Sequence, residues 1–156
     1  MNLIIVDNNI NYANKLKEVL VENIIVESIN VVRKINLILS DNIQTQSVIL
    51  FEPTKENLLE IKSYLSGNIN SNIRFIALSN ETESQELIES VANGVSSIIY
   101  KSEKLEFIIE ELKLVLRGKV VFPQKIINRI KDSFSAQVIK KPNSQLKKMF
   151  GKYLSI

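Results

Sequence analysis

Short apolar runs alternate with longer amphipathic segments along the first 118 residues of the chain. Five runs of four to six residues are rich in branched aliphatic side chains, which is typical of strands buried on both faces of a sheet. We predict these strands at 3–6, 24–29, 47–51, 73–78 and 95–100. Between them, apolar residues recur every three or four positions, as in helices that bury one face. The predicted helices cover 9–23, 31–39, 58–65, 82–93 and 102–117.

Caps and breakers mark three of the predicted helix ends. Thr82 followed by Gln85 resembles a capping box, in which two side chains satisfy backbone N–H groups at the start of a helix. Gly94 and Gly118 follow the fourth and fifth helices, at the position where glycine commonly ends a helix.

Five strand–helix repeats predict an α/β fold, a doubly wound five-stranded parallel sheet with helices on both faces. In such sheets, ligands bind at the carboxyl ends of the strands, near the point where the strand order reverses. The polar residues that follow strands one, three, four and five are therefore the candidate site. They are Asp7, Asn8, Glu52, Ser79, Asn80 and Lys101.

These side chains share a chemistry, although each one alone is typical of an ordinary loop or surface position. Two carboxylates can hold Mg²⁺, which prefers oxygen ligands. A lysine can neutralise a phosphoryl group, a serine hydroxyl can donate to it, and a carboxylate can accept it as an acyl phosphate. Their joint position at strand ends favours a common site over unrelated surface charges.

The strand-end motifs LIIVD, VILFE, FIALS and IIYKS, in this order, resemble the receiver domain of bacterial response regulators over residues 1–118. The stretch YKSEKLEFIIEELKLVLRGKVVFPQKIINRI is similar to the end of a NarL-type receiver and its linker helix. The resemblance implies a (βα)5 receiver-like or flavodoxin-like fold with an acidic pocket for Mg²⁺ and a phosphorylated Asp. By position, Ser79 and Lys101 match the family's hydroxyl and lysine, and Ile98 occupies its switch position.

The pocket departs from the family pattern around two strand ends. The family has two adjacent acids after strand one, whereas here Asn8 follows Asp7. Its phosphorylated Asp ends strand three, whereas Glu52 stands here, with a carboxylate on the order of 1.5 Å further out. Pro53 follows Glu52 directly and shortens the loop. We therefore predict a degenerate phosphoacceptor pocket with no cofactor or at most weak Mg²⁺ binding at Asp7 and Glu52. Lys101 is expected to reach Glu52 and hold this pocket closed by an ion pair.

The charge is unevenly distributed along the chain. Residues 1–123 hold 12 basic and 16 acidic side chains, whereas residues 124–156 hold eight basic and one acidic. A basic tail of this kind suits nucleic acid, an anionic surface or an acidic protein. Equally, it suits a helix that docks on the acidic body.

We divide the chain into a receiver-like domain at 1–118, a linker helix at 119–134 and a basic tail at 135–156. The linker helix begins at Gln124, and its predicted inward side chains are Ile126, Ile127 and Ile130. In the tail, a polar linker at 135–143 precedes a short amphipathic helix at 144–154. The tail's candidate contact residues are Lys140, Lys141, Lys147, Lys148 and Lys152.

Composition removes several classes of function. The chain has no Cys and no His, which excludes disulfides, Cys-ligated zinc and a Ser-His-Asp triad. No apolar run approaches the about 18 residues needed to span a bilayer. The first residues lack the basic start of a signal peptide. We expect a cytoplasmic protein that does not insert into membranes.

The sequence predicts a signalling protein that is not an enzyme and acts independently of phosphorylation, through a protein partner or as a homodimer. Three alternatives stay open: a DNA-associated regulator that uses the basic tail, a receiver that still accepts phosphoryl groups, and an unrelated flavodoxin-like binding protein. The 33 residues after Pro123 are too few for the trihelical DNA-binding domain of NarL-type regulators. The absence of a Gly-rich phosphate loop after Val6 argues against the flavodoxin-like alternative.

Overall fold

The computed structural model describes residues 1–39, 45–68, 72–80 and 84–140, with side chains described as far as residue 132. Five strands and six helices lie in these ranges. In chain order they are β1 (Asn2–Val6), α1 (Ile10–Asn23), β2 (Ser28–Val32), α2 (Asn36–Leu39), β3 (Ser47–Phe51), α3 (Lys55–Gly67), β4 (Ile73–Ser79), α4 (Gln85–Ala92), β5 (Ser97–Tyr100), α5 (Leu105–Leu116) and α6 (Gln124–Lys140).

The strands form one sheet in the order β2-β1-β3-β4-β5, and every neighbouring pair is parallel. All five residues of the central strand β3 are buried, as the continuous apolar run predicts for a sheet covered on both faces. The strand order reverses at β1, which has β2 on one side and β3 on the other. The predicted doubly wound parallel α/β fold is confirmed.

Two apolar layers cover the sheet. On one face, Leu3 and Ile5 of β1 pack with the inward sides of α1 and α5. On the other face, Val6 packs with side chains of α2, α3, α4 and α6. Successive side chains of a strand point to opposite faces of the sheet, so each β1 side chain packs in only one of the two layers.

Side-chain caps and glycines set several helix boundaries. Asn9 begins α1 by accepting a hydrogen bond from the Tyr12 N–H, at 3.1 Å. Ser84 caps α4 and accepts from the Leu87 N–H, at 3.1 Å, so α4 begins later than the predicted box at Thr82, which lies outside the described residues. Gly94 follows α4 with a φ of 104°, as its predicted role at a helix end requires.

The second strand and helix differ from the prediction. β2 lies at Ser28–Val32 rather than at 24–29, and α2 is a single turn at Asn36–Leu39 rather than a helix over 31–39. Six of the nine residues in the segment 24–32 are β-branched, so composition does not choose between the two strand positions. Pairing with β1 decides between the two strand positions, because Leu3 opposes Ile29 and Val6 opposes Val32. Val31 and Val32 therefore belong to the sheet.

The last helix extends further than predicted. Ile126 and Ile130 are buried in the layer that contains α4, and Ile127 is half-buried. α6 continues to Lys140, past the predicted end at 134, so the expected polar linker does not begin at 135. The rest of the predicted linker and the predicted helix at 144–154 lie outside the described residues.

The segment between α5 and α6 runs beside β5. The Ile98 N–H donates to the Val121 carbonyl at 2.9 Å, and the Val121 N–H donates to Ser97 Oγ at 3.0 Å. None of the described helices is long and apolar enough to cross a membrane.

Candidate functional site

The carboxyl edge of the sheet brings the predicted site residues together. Asp7 follows β1, Glu52 follows β3, Ser79 ends β4 and Lys101 follows β5. Parallel registry aligns these ends, since Val6 opposes Phe51 and Ser79 opposes Tyr100. The Lys101 N–H donates to the Ser79 carbonyl at 2.8 Å, which fixes the start of the loop after β5.

Asp7 is the buried centre of the site. Its side chain is 3% exposed, and Lys101, whose side chain is 8% exposed, places Nζ 2.5 Å from Asp7 Oδ2. Asp7 Oδ1 accepts a hydrogen bond from the Asn9 N–H at 2.8 Å. Both carboxylate oxygens therefore have a donor supplied by the chain itself.

Tyr12 covers this ion pair from the first turn of α1. Lys101 Nζ lies 4.7 Å from the centroid of the Tyr12 ring, within the range of a cation–π contact. Burial first, and then the negative charge of Asp7, raise the pKa of Tyr12 to about 12. Sequence reasoning missed Tyr12. The feature that could have indicated it is its spacing, because Tyr12 follows Asp7 by five residues and lies in the first turn of the helix after β1.

The expected Lys101–Glu52 ion pair does not form, because Lys101 pairs with Asp7. A buried carboxylate needs a counter-charge, whereas the side chain of Glu52 is only half-buried and lines an open cleft. The backbone of Glu52 is held instead: its carbonyl accepts from Asn57 Nδ2 at 2.7 Å and from the Thr54 N–H at 2.8 Å. The turn through Pro53 is thus fixed at the start of α3.

Two clefts meet at Glu52. The first has a volume of about 400 Å³ and extends from Asp7 and Asn8 toward the end of β2. The second has a volume of about 300 Å³ and extends toward Ser79 and the start of α4. The first is lined by three cations that sequence reasoning missed, Arg33, Lys34 and Lys55. Because β2 ends at Val32, Arg33 and Lys34 follow a strand and lie at this edge. The prediction had placed them inside a helix at 31–39, and they were therefore not counted among the strand-end residues.

The residues of the first cleft do not fit a receiver-type Mg²⁺ site. Mg²⁺ is held by carboxylate oxygens, and those of Asp7 are already bonded to Lys101 and to the backbone of Asn9. The neighbouring position carries the neutral Asn8. Among the described residues, no three carboxylates come together in a group that could hold a metal ion.

The predicted switch position lies away from this edge. Ile98 is fully buried in the layer that contains Ile126 and Ile130 of α6. Lys140 is the last residue of α6, but its side chain lies outside the described set, as do the other four candidate lysines of the tail.

A pair of carboxyl groups lies close to the site on the α1–α5 side. The pKa of Glu111 is raised to about 7, first by burial and then by a hydrogen bond and charge repulsion from Glu103. Glu103 lines a cavity of about 170 Å³ together with Tyr12 and Lys101. Glu111 therefore carries its proton over part of the neutral pH range.

No protein-family model matches the sequence, and no curated protein matches it. Solved structures do match in fold, among them structures of the regulators CsgD and RcsB. One is the regulatory domain of the master biofilm regulator CsgD, with a TM-score of 0.59 and 18% identity, covering 83% of this chain and 97% of that chain. A second is the isolated receiver domain of RcsB from Salmonella enterica serovar Typhimurium with phosphomimetic BeF3⁻, with a TM-score of 0.64 and 14% identity, covering 81% and 95%. A third, of two RcsB dimers bound to two parallel DNAs, has a TM-score of 0.65 and 13% identity and covers 99% and 86%. At these identities the likeness establishes a receiver-like fold.

Proposed function

We propose that the chain is a receiver-like signalling regulator that acts by contact with other proteins and no longer depends on phosphorylation. The observation that carries this proposal is the buried ion pair between Lys101 and Asp7, which occupies the position where the resemblance implies a metal site. The fold supports the regulator-like role, since the matching solved structures are regulatory and receiver domains.

Charge counting supports the loss of metal binding. A receiver-type pocket with three carboxylates and one lysine carries a net charge of about −2, which favours a divalent cation. Here Asp7 and Lys101 neutralise each other, and Glu52 faces a cleft lined by three cations and one further acid, Glu56. The pocket has lost the excess negative charge that attracts Mg²⁺.

The position of Glu52 supports the loss of the acceptor. Its carboxylate extends one methylene, on the order of 1.5 Å, beyond that of an Asp. The hydrogen bonds of Asn57 and Thr54 to the Glu52 carbonyl hold the turn, so the backbone does not retract to compensate. In-line transfer tolerates little displacement of the attacking oxygen, and phosphoryl transfer to Glu52 is therefore expected to be very slow.

A regulator without a phosphorylation switch takes its signal from its partners. A partner shifts a conformational equilibrium only by its difference in affinity for the two states. In this proposal the chain catalyses no reaction, and its output depends on which protein occupies its surface.

An amide NMR titration of the full chain with Mg²⁺, followed by beryllofluoride, tests the proposal. We expect no saturable shifts at Asp7, Glu52, Ser79 or Lys101 at millimolar Mg²⁺. A double variant, Asn8→Asp with Glu52→Asp, is the matched control, because it restores the missing acids on the same fold. Saturable shifts in the unaltered chain that spread to α4 and α5 would refute the proposal.

A second function, DNA association, is favoured by the full-length likeness to the RcsB–DNA structure, which covers 99% of this chain. Cations that neutralise phosphates make DNA affinity fall steeply with salt. Fluorescence anisotropy with duplex DNA, repeated over a salt series, measures that slope. A triple variant, Lys147→Gln, Lys148→Gln and Lys152→Gln, should flatten it if the tail makes the contacts. Equal slopes in the unaltered chain and the triple variant would show that these three lysines do not make the DNA contacts.

A further inference from the structure

A small cavity lies between α1 and the start of α5, beside the buried ion pair. It has a volume of about 170 Å³, which is the share of liquid taken by about six water molecules. Three apolar and four polar side chains line it: Leu16, Leu105, Ile108, Tyr12, Lys15, Lys101 and Glu103. A lining of this kind suits a small molecule with an aliphatic part and a few polar atoms.

Two of the lining residues carry a buried polar atom that lacks a partner. Among the described residues, no hydrogen bond reaches Tyr12 Oη or Glu103 Oε2. Native proteins leave few buried polar atoms in this state, because the loss of water is not repaid. The pKa of Tyr12 is raised to about 12, so its hydroxyl is a donor at neutral pH. The cavity therefore offers one donor and one acceptor to its occupant.

The charges around the cavity disfavour a simple ion. Lys15 and Lys101 repel a cation, although Asp7 balances much of the charge of Lys101. Glu103 repels an anion, and Glu111 adds to that negative charge once it is ionised. A molecule that carries one positive and one negative group can present each to the opposite charge.

The zwitterion of an aliphatic α-amino acid has the groups that match this lining. Its carboxylate can accept from the Tyr12 hydroxyl and from Lys15, and its ammonium can donate to Glu103 Oε2, as charge-assisted hydrogen bonds. Its short side chain can pack against Leu16 and Ile108. Alanine has about as many non-hydrogen atoms as the cavity has water volumes, so it is the member of matching size.

We propose that the cavity between α1 and α5 binds a small aliphatic amino acid, with its carboxylate at Tyr12 and Lys15 and its ammonium at Glu103. The inference goes beyond the proposed function by naming a small-molecule input, and it rests on that function only for the ligand's role as a signal. Lys101 lines the cavity and also pairs with Asp7. Occupancy of the cavity therefore alters the surroundings of the buried ion pair.

Binding should be coupled to the release of a proton. Burial first, and then a hydrogen bond and charge repulsion from Glu103, raise the pKa of Glu111 to about 7. A ligand ammonium beside Glu103 replaces that proton as the counter-charge of the two carboxyls, so the ligand favours the state in which both are ionised. The affinity should therefore rise by up to about tenfold from pH 6 to pH 8, with the ionised fraction of Glu111.

Isothermal titration calorimetry of the full chain with L-alanine tests the proposal. We expect saturable binding with a dissociation constant on the order of 1 mM, since so small a ligand makes few contacts. L-Alaninamide lacks the carboxylate, and N-acetyl-L-alanine lacks the ammonium. Each analogue should bind at least about tenfold more weakly, because it loses a charge-assisted hydrogen bond and brings a like charge to the cavity.

Two variants remove one proposed contact each and keep the size of the side chain. Tyr12→Phe and Glu103→Gln should each weaken the binding of L-alanine by about tenfold. Glu106→Gln is the matched control, because Glu106 is exposed in the first turn of α5 and does not line the cavity. Its affinity for L-alanine should be unchanged. Thermal unfolding checks that each variant is folded, and the analogues test the assignment on the unaltered chain.

The outcomes that would overturn this inference are distinct from those that bear on the pocket. No saturable binding would mean that the cavity holds only water, and equal affinity for either analogue would remove the zwitterion. Unchanged binding in the folded Tyr12→Phe and Glu103→Gln variants, or equal affinity at pH 6 and pH 8, would also overturn it. In amide NMR spectra, L-alanine should shift Leu16, Leu105 and Ile108, whereas the beryllofluoride titration judges the proposed function from shifts at the strand-end pocket. Either experiment can fail while the other succeeds.

Discussion

The buried ion pair between Asp7 and Lys101 makes a quantitative prediction about stability. Replacing Lys101 with Met, which has a similar length and no charge, leaves the Asp7 carboxylate buried without its counter-ion. Breaking one half of a buried pair costs about 3–5 kcal/mol of the free energy of unfolding. For a chain of this length that corresponds to a fall of about 10 °C in the midpoint of thermal unfolding.

The magnitude follows from the geometry. At 2.5 Å and an effective dielectric constant of 20, two unit charges attract each other by about 7 kcal/mol. Removing each ion from water costs several kcal/mol, so the intact pair stabilises the fold little compared with a neutral pair of the same size. The double variant Asp7→Asn with Lys101→Met should therefore recover to within about 1–2 kcal/mol of the unaltered chain.

Urea unfolding of the four proteins in this double-mutant cycle measures the coupling. We expect a coupling energy of about 3 kcal/mol or more, with single variants that are much less stable than the double variant. Simple additivity would refute the reasoning, because it would mean that the two charges do not depend on each other for burial. A change of the urea dependence in one variant would show that its native state has loosened, and that cycle would then be repeated with Lys101→Leu.

Three further predictions concern other parts of the fold. The pKa of Glu111 is about 7 in the folded state, above its ordinary value of 4.5. The contribution of the protonated Glu111 to the free energy of unfolding is therefore complete below pH 4.5 and is lost as the pH rises through 7. Urea unfolding at pH 5 and pH 8 should show that Glu111→Gln removes about 1 kcal/mol of this pH dependence, after allowance for solvent screening. Gly94→Ala should destabilise the fold by about 1–3 kcal/mol, since φ is 104° and the new Cβ would lie close to Leu65; a neutral result in thermal unfolding would contradict this conformation. Ile130→Ala should cost about 2–5 kcal/mol in one cooperative transition, whereas a separate early transition would show that α6 is not part of the core.

The sheet was the most predictable part of the molecule. β3 lies where its apolar run predicts it, at Ser47–Phe51, because a strand buried on both faces needs only a short, uninterrupted apolar segment. The positions after β1, β3, β4 and β5 follow directly from that reading, since parallel strands present their carboxyl ends at one edge. The position of Asp7, Glu52, Ser79 and Lys101 at this edge was therefore predicted from the sequence alone.

Pairings between distant residues were the least predictable part. The limits of β2 depend on its partner β1, and the segment 24–32 contains two acceptable β-branched strands. The partner of Lys101 depends on which carboxylate is buried, and nothing local to Asp7 or Glu52 reports that. The role of Tyr12 depends on how α1 lies over the strand ends. In each case the outcome is decided by a contact between residues that are far apart in the sequence.

The segment beside β5 has a consequence for how the molecule meets other chains. An edge strand presents unpaired N–H and C=O groups, which can recruit a strand from another molecule and lead to aggregation. Here Val121 accepts from the Ile98 N–H and donates to Ser97 Oγ, so the chain itself occupies part of that edge. Strand addition is blocked along this part of β5, and a partner that approaches here must bind through side chains. Selective, reversible association between folded molecules is compatible with such an edge, whereas growth of the sheet across this part of β5 is not.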